Sequence, residues 1–420
     1  MTSNAFKINL NSEIGKLNGV ILHTPGAEVQ NMTPENAERA LYSDILNLKV
    51  AQDEYSQLSG FLSKITNTYE VKALLTDLLQ NSRLRENLLD RICENENASH
   101  HSHIIDGLDY QELARQMIEG VVMTKDTLTA YLSKQRYALK PLHNFFFTRD
   151  ASVAINDKIL ISRMANKVRE RESIIMQSIF DFHPLFSAST VNPVEDKFFH
   201  EDITIEGGDV LVAREDVLLI GNGSRTTSQG IDYILHRLRD RKENMHIIVQ
   251  ELPYTPESFI HLDMVFTFLD KDKCMIYEPI ILKPSRYQTV HISVDNGRVK
   301  IQEEENILTA LSSLGIDLEP VMCGGTTDPW IQQREQWHSG ANFFAFAPGK
   351  IVGYERNSYT IDELNNHGFE VIKARDVIRD KAHPDDHKRC VVTIEGSELS
   401  RGGGGARCMT MPFNRDDVEW

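Results

Sequence analysis

The chain has 420 residues, with 45 Lys and Arg against 61 Asp and Glu, a formal net charge of −16, and 41% hydrophobic and 25% charged residues. Such a length can bury a large core and divide into one to about three domains. The acidic balance argues against a nucleic-acid partner, which leaves a basic face, and is compatible with a small cationic substrate.

The five cysteines have no paired spacing, which points to free thiols in a reducing compartment. No run approaches the roughly 18 apolar residues of a membrane-crossing helix. The opening Met1-Thr2-Ser3-Asn4-Ala5-Phe6-Lys7 lacks the apolar stretch of a secretory signal. The expectation is a soluble cytoplasmic protein with no membrane or nucleic-acid partner.

Lys16 to His23 reads as a first strand, ended by the turn Thr24-Pro25-Gly26. Thr33-Pro34-Glu35-Asn36 opens a helix, with Thr33 as N-cap and Pro34 at the first helical position, and apolar residues keep helical spacing to about Leu62. Residues 70–140 are leucine-rich, glycine-poor and periodic, as in Leu74-Leu75-Thr76-Asp77-Leu78-Leu79. They predict a small α-helical bundle inserted into a main domain made of 1–69 and 141–420.

From Asn144 onward strands and helices alternate. Val210–Val212 and Val217–Ile220 flank Arg214-Glu215-Asp216 as a hairpin, Gly230–Arg241 is an amphipathic helix, and Met245–Gln250 is a strand. Asn342–Ala347 and Ile351–Tyr354 flank Pro348-Gly349-Lys350 as a second hairpin. The fold class expected from such mixed runs is α/β, and no fixed-period repeat is present in the sequence.

The segment richest in chemistry is Arg401-Gly402-Gly403-Gly404-Gly405-Ala406-Arg407-Cys408-Met409-Thr410-Met411-Pro412. Consecutive glycines allow a close backbone approach, and a thiol after them with Arg407 beside it suggests a depressed pKa and a reactive thiolate; the alternative is a buried structural cysteine after a linker. A cysteine nucleophile needs a proton shuttle and a group to orient it. Phe259 to Thr267, read as a strand, puts His261 and Asp263 on one face, although such a pair also suits a solvated edge.

Glu206 precedes Gly207-Gly208-Asp209, and Asp150 ends the aromatic run Phe145-Phe146-Phe147-Thr148-Arg149. Two histidine groups, His100, His101 and His103, and His383 with His387, lack the Cys or carboxylate company of a zinc site. The glycine run lacks the Gly-Lys-Ser/Thr ending of a phosphate loop. No cofactor or metal is expected.

With these segments in view, the chain resembles the arginine deiminase family of guanidino-group-modifying enzymes, from about Glu13 to Trp420. The motifs that carry the likeness are Phe147-Thr148-Arg149-Asp150, Glu206-Gly207-Gly208-Asp209-Val210, His261-Leu262-Asp263, Arg334-Glu335-Gln336-Trp337, Ala347-Pro348-Gly349-Lys350 and the Cys408 segment. The resemblance implies a five-bladed α/β-propeller, the pentein fold, with an inserted helical bundle. It implies hydrolysis of free L-arginine to L-citrulline and ammonia by a homo-oligomer, dimer or larger.

By the same resemblance Cys408 would be the nucleophile and His261 the general acid and base. Asp150 and Asp263 would each hold the guanidinium through paired hydrogen bonds, with Glu206 supporting the histidine. Asn144, Arg169 and Arg225 would hold the substrate carboxylate; out of context they read as a turn residue, a charged helix face and a residue leading into a helix. Cys93, Cys274, Cys323 and Cys390 lack such a setting and read as structural. An amidinotransferase, a methylarginine hydrolase or a non-catalytic arginine-binding protein are the alternatives.

The chain departs from the family pattern at Thr24 and at Ser43, and Gly403 stands where some members carry a gating arginine. Residues 375–391 read as an insertion. These departures bear on loop closure, substrate affinity and strict arginine specificity rather than on the groups the chemistry needs.

Overall fold

Five sheets of the computed structural model repeat one order of strands, a hairpin whose second or middle strand takes a third strand in parallel. The structure describes residues 5–33, 44–96, 98, 107–197, 200–239 and 244–420. The repeats are Ser152–Ile155, Lys158–Ile161 and Ser189–Val191; Val210–Arg214, Val217–Asn222 and Met245–Glu251; Phe266–Asp270, Lys273–Ile276 and Glu319–Met322; and Phe344–Ala347, Lys350–Tyr354 and Cys390–Ile394. The last repeat joins the two ends of the chain, with Leu17–Leu22 between antiparallel Met411–Arg415 and parallel Asn67–Glu70.

A parallel pair needs a crossover, and helices supply it. Glu170–Phe182, Ser228–Arg239 and Leu48–Ile65 bridge the first, second and last repeats. Covered on both faces, the inner strands are apolar throughout instead of alternating, as in Val217-Leu218-Leu219-Ile220, all buried.

Both expected hairpins form, and the helix expected from Gly230 spans Ser228–Arg239. The helix expected from Thr33 to Leu62 is observed as Leu48–Ile65, capped by Asn47, whose side chain accepts from the Val50 amide. The opening expected at Pro34 and the departure at Ser43 lie outside the described residues, as do His100, His101 and His103. His383 and His387 flank a 3-10 turn, Pro384–Asp386, so no continuous helix joins them.

Residues 70–140 hold the helices Val71–Leu78, Ser82–Asn95, Tyr110–Glu119 and Leu128–Leu132. They also hold a short ladder, Val121–Val122 with Tyr137–Leu139. The leucines of the first three of these helices, such as Leu74, Leu78, Leu88 and Leu113, share one core with Ile175, Ile179 and Phe180 of the Glu170–Phe182 helix. Among the described residues no helix is long and apolar enough to cross a membrane.

Candidate active site

Each repeat delivers a polar residue just ahead of its hairpin: Asp150, Asp209, Asp263, Asn342 and Cys408. Hydrogen bonds join these junctions into a closed ring. The Gly207 amide donates to the Asp150 carbonyl at 3.1 Å, and the Leu262 amide to Asp209 Oδ1 at 2.9 Å. Asn342 Nδ2 donates to the Asp263 carbonyl at 3.1 Å, while Asn342 Oδ1 accepts from the Arg407 and Cys408 amides at 2.9 and 3.1 Å. The Arg149 amide closes the ring on the Cys408 carbonyl at 3.1 Å. Chain ends and middle are thereby held around one buried centre.

Phe259 to Thr267 is not the strand expected from its composition. Two 3-10 turns, Glu257–Phe259 and Leu262–Met264, precede a strand that begins only at Phe266. The turn is selected because Asp209 takes the Leu262 amide and the Leu262 side chain fills the core. His261 and Asp263 still converge on the centre. His261 Nε2 lies 2.9 Å from Glu206 Oε2, and Nδ1 faces Asp150 Oδ1 at 3.6 Å. Gly208 permits this, since a Cβ there would sit 2.4 Å from His261 Nδ1.

Burial alone would lower the pKa of His261, but Asp150, the Glu206 hydrogen bond and Asp209 raise it to about 9. Burial opposes ionisation of Glu206, yet His261, Arg225 and Arg169 hold it at about 2. The centre therefore contains an imidazolium clamped between carboxylates. Asp150, Glu206 and His261 have ligand atoms within 4.8 Å of one another, close enough to hold a metal ion. The cationic ring competes with that use, because a metal needs a neutral imidazole.

Cys408 is 2% exposed, and its Sγ lies 3.7 and 3.9 Å from the two oxygens of Asp263. The expected thiolate is not what the ligand-free centre favours. Burial and the charges of Asp263 and Asp150 push the thiol well above its ordinary range, against smaller lowering by the Gly405 backbone and Arg407. Arg407 is committed elsewhere. It donates Nε and Nη2 to Glu13 at 3.0 Å each, Nη1 to Asp263 Oδ2 at 2.8 Å and Nη2 to the Val210 carbonyl at 2.9 Å.

Sequence reasoning missed Glu13 and Asn342. Glu13 had no motif around it; Asn342 could have been found only as the counterpart of Asp150 and Asp263 before a hairpin.

Arg169 is buried rather than on a charged helix face. Its guanidinium donates to Glu172 at 2.8–3.1 Å, to Asp150 Oδ2 at 2.7 Å and to the Asn144 and Phe147 carbonyls at 3.3 and 3.4 Å. Asn144 is therefore beside Arg169, in the loop that carries Asp150. Arg225 Nη1 lies 3.9 Å from Glu206 Oε1 and lines the mouth of the site.

The mouth has two cavities. One, of about 280 Å³, is lined by Asn166, Ser224, Arg225, Tyr254 and Glu257 among others. The other, of about 60 Å³, runs from Arg225 and Glu257 to Trp337 and Gly402–Gly403. The glycine segment is anchored from behind: buried Glu54 accepts the amides of Ser397, Glu398 and Leu399, and the Tyr354 hydroxyl donates to the Gly404 carbonyl at 2.9 Å. Gly403, at φ +85°, turns the chain there in the left-handed region. Cys93, Cys274, Cys323 and Cys390 are buried and unbridged.

The strand order, with a cysteine, a histidine and carboxylates buried at its centre, is that of a mixed α/β protein of the pentein fold. Solved structures agree on that fold. The chain is similar to an amidinotransferase from Microseira wollei, at TM-score 0.55 and 12% identity over 98% of each chain. It is also similar to the N-terminal domain of a cyanobacterial arginine dihydrolase, at TM-score 0.52 and 13% identity over 94% of this chain and 98% of that one.

The family model for arginine deiminase matches residues 38–415. Arginine deiminases of Oenococcus oeni and Mycoplasma capricolum are 31% and 32% identical, over 98% of each chain. That of Bacillus cereus is 32% identical over 98% of this chain and 99% of its own. The chain belongs to the arginine deiminase family.

Proposed function

We propose that the chain hydrolyses free L-arginine to L-citrulline and ammonia through a covalent intermediate on Cys408. The observation that carries the reading is the buried convergence of a thiol, an imidazolium and carboxylates with oxygens to spare. Among the described residues Asp150 Oδ1 accepts no hydrogen bond and has His261 Nδ1 at 3.6 Å, and Asp263 Oδ1 has only the Cys408 sulfur at 3.9 Å. The other oxygen of each carboxylate is already held by Arg169 or Arg407. A guanidinium between Asp150 and Asp263 satisfies the spare oxygens and presents a face of its central carbon to Sγ.

The thiol is protonated in the free site, so binding of the cation supplies the opposite charge that lets the proton leave to solvent. The thiolate attacks the guanidinium carbon and forms a C–S bond. His261 donates its proton to one amino nitrogen, the C–N bond breaks and ammonia departs, leaving an S-alkylthiouronium. The now neutral His261 takes a proton from water, which attacks the same carbon. The adduct's hydroxyl gives its remaining proton to solvent as the C–S bond breaks, releasing citrulline and the thiolate. Glu206 orients His261 and keeps it cationic for the first half of the cycle.

In this reading Arg225, Asn144 and Arg169 hold the α-carboxylate, with Arg169 turning from Asp150 or acting from beside it. The five repeats are the blades of an α/β-propeller, supported by their common strand order and by the last repeat closing the two chain ends together. Residues 1–69 and 141–420 form the catalytic domain, and 70–140 the inserted bundle. A cytoplasmic homo-oligomer completes the proposal, checked by sedimentation and fractionation.

The test is citrulline formation from L-arginine beside agmatine, methylated arginine and peptidyl arginine, with Cys408→Ala as control. Citrulline from free arginine alone, lost in the variant, is expected. Amidino transfer to an added amine, or product from methylated arginine only, would replace this reading by one of its alternatives. Arginine binding with no turnover of any substrate would favour a non-catalytic role.

A further inference from the structure

Both mouth cavities share the same three residues, Arg225, Glu257 and Ile260. Two of them are opposite charges, yet they form no ion pair with each other within 4.0 Å. Among the described residues the Glu257 carboxylate has no hydrogen bond or ion pair. Among the described residues the Arg225 guanidinium has only the 3.9 Å approach to Glu206. An exposed anion and a half-buried cation that line the same space without closing on each other leave a gap with unlike charges on its walls.

The lining of the gap leads along the chain into His261. Glu257 opens the 3-10 turn Glu257–Phe259, whose carbonyl at Glu257 takes the Ile260 amide at 3.1 Å, and Ile260 leads directly into His261.

We propose that Glu257 binds the α-ammonium of the substrate while Arg225 takes its α-carboxylate, so that the mouth reads the zwitterionic head of a free amino acid. The inference rests on the arginine reading above and adds a specificity-determining residue to it. The two charges of such a head are carried on one carbon, and a guanidinium on a flexible stem is the other end of the ligand. Agmatine would leave Arg225 without its anion, and a guanidino acid lacking the amine would leave Glu257 without its cation. A peptide-bound arginine offers neither charge. Discrimination of this kind comes from charged groups left unpaired with the wrong ligand.

The experiment compares wild type, Glu257→Gln and Glu257→Asp on L-arginine and on 5-guanidinopentanoate, which lacks the α-amine. The second compound is followed as substrate and as competitive inhibitor. Glu257 is on the surface, so the folded state is preserved. The expected result is a loss of kcat/KM for L-arginine of roughly 10- to 100-fold in Glu257→Gln, mostly in KM, with partial recovery in Glu257→Asp. Binding of 5-guanidinopentanoate should be unchanged. Equal losses on both ligands, or no loss on either, would overturn the proposal. Wild-type protein that makes no citrulline from arginine would instead overturn the reading on which it rests.

Discussion

Glu13→Gln removes a single negative charge beneath the site, and its effect can be worked out from the structure. Glu13 is buried, and burial by itself would raise its pKa. Arg407, Arg149, the Arg407 hydrogen bonds and Arg415 more than offset this and hold it at about 2 against an ordinary 4.5. With about 1.4 kcal/mol for each pH unit between those two values, the charged form contributes about 3 kcal/mol to folding at neutral pH. Loss of one partner of a buried pair costs about 3–5 kcal/mol, which agrees.

The folded pKa is depressed, so this stability is complete above the unfolded value near 4.5 and is lost as pH falls through about 2. The gap between wild type and Glu13→Gln in urea unfolding should therefore be about 3 kcal/mol at pH 7 and roughly half that at pH 3. The same change releases Arg407 from its fork on Glu13, so Asp263 loses its fixed place beside Cys408 and kcat falls with it. An unfolding midpoint equal to that of wild type at pH 7, or a gap that does not narrow in acid, would show that Glu13 does not carry this charge.

Iodoacetamide should modify Cys408 of the ligand-free protein slowly at pH 7, with a rate that climbs only above the ordinary thiol value of 9.0; a midpoint near neutrality would show a preformed thiolate. Glu206→Gln removes a hydrogen bond and a charge that keep His261 cationic, so the imidazole should titrate below about 9 by NMR and kcat should drop roughly 10²- to 10⁴-fold. An unmoved titration would contradict the role given to Glu206. Gly208→Ala puts a methyl carbon 2.4 Å from His261 Nδ1, so the ring must shift and kcat should fall about 10²-fold. Wild-type turnover in that variant would mean the ring position is not critical.

The residues that converge on the buried centre are legible in the sequence where short polar motifs sit beside glycine, as at Glu206-Gly207-Gly208 and before Cys408. The local backbone was less so. Phe259 to Thr267 has strand composition, but the Asp209 side chain, distant in sequence, captures the Leu262 amide and selects a turn. The state of the thiol differs from its expectation for a related reason. Arg407 adjoins Cys408 in sequence, but its guanidinium is spent on Glu13 and Asp263, so adjacency did not become a lowered pKa.

The structural repeat left no period in the sequence, because connections of different length separate hairpins that share strand order rather than residues. Asn342 shows what that hides. It occupies in the fourth repeat the place that Asp150 and Asp263 hold in theirs, and only the closed ring of hydrogen bonds reveals it.

If Cys408 carries the reacting carbon, rapid acid quench followed by mass spectrometry of the Cys408 peptide will trap it there. The expected adduct on Cys408 has the mass of arginine less ammonia, and is absent from the other four cysteines and absent without substrate. Citrulline formed at full rate with no adduct at any quench time, or by Cys408→Ala, would contradict covalent catalysis at this thiol.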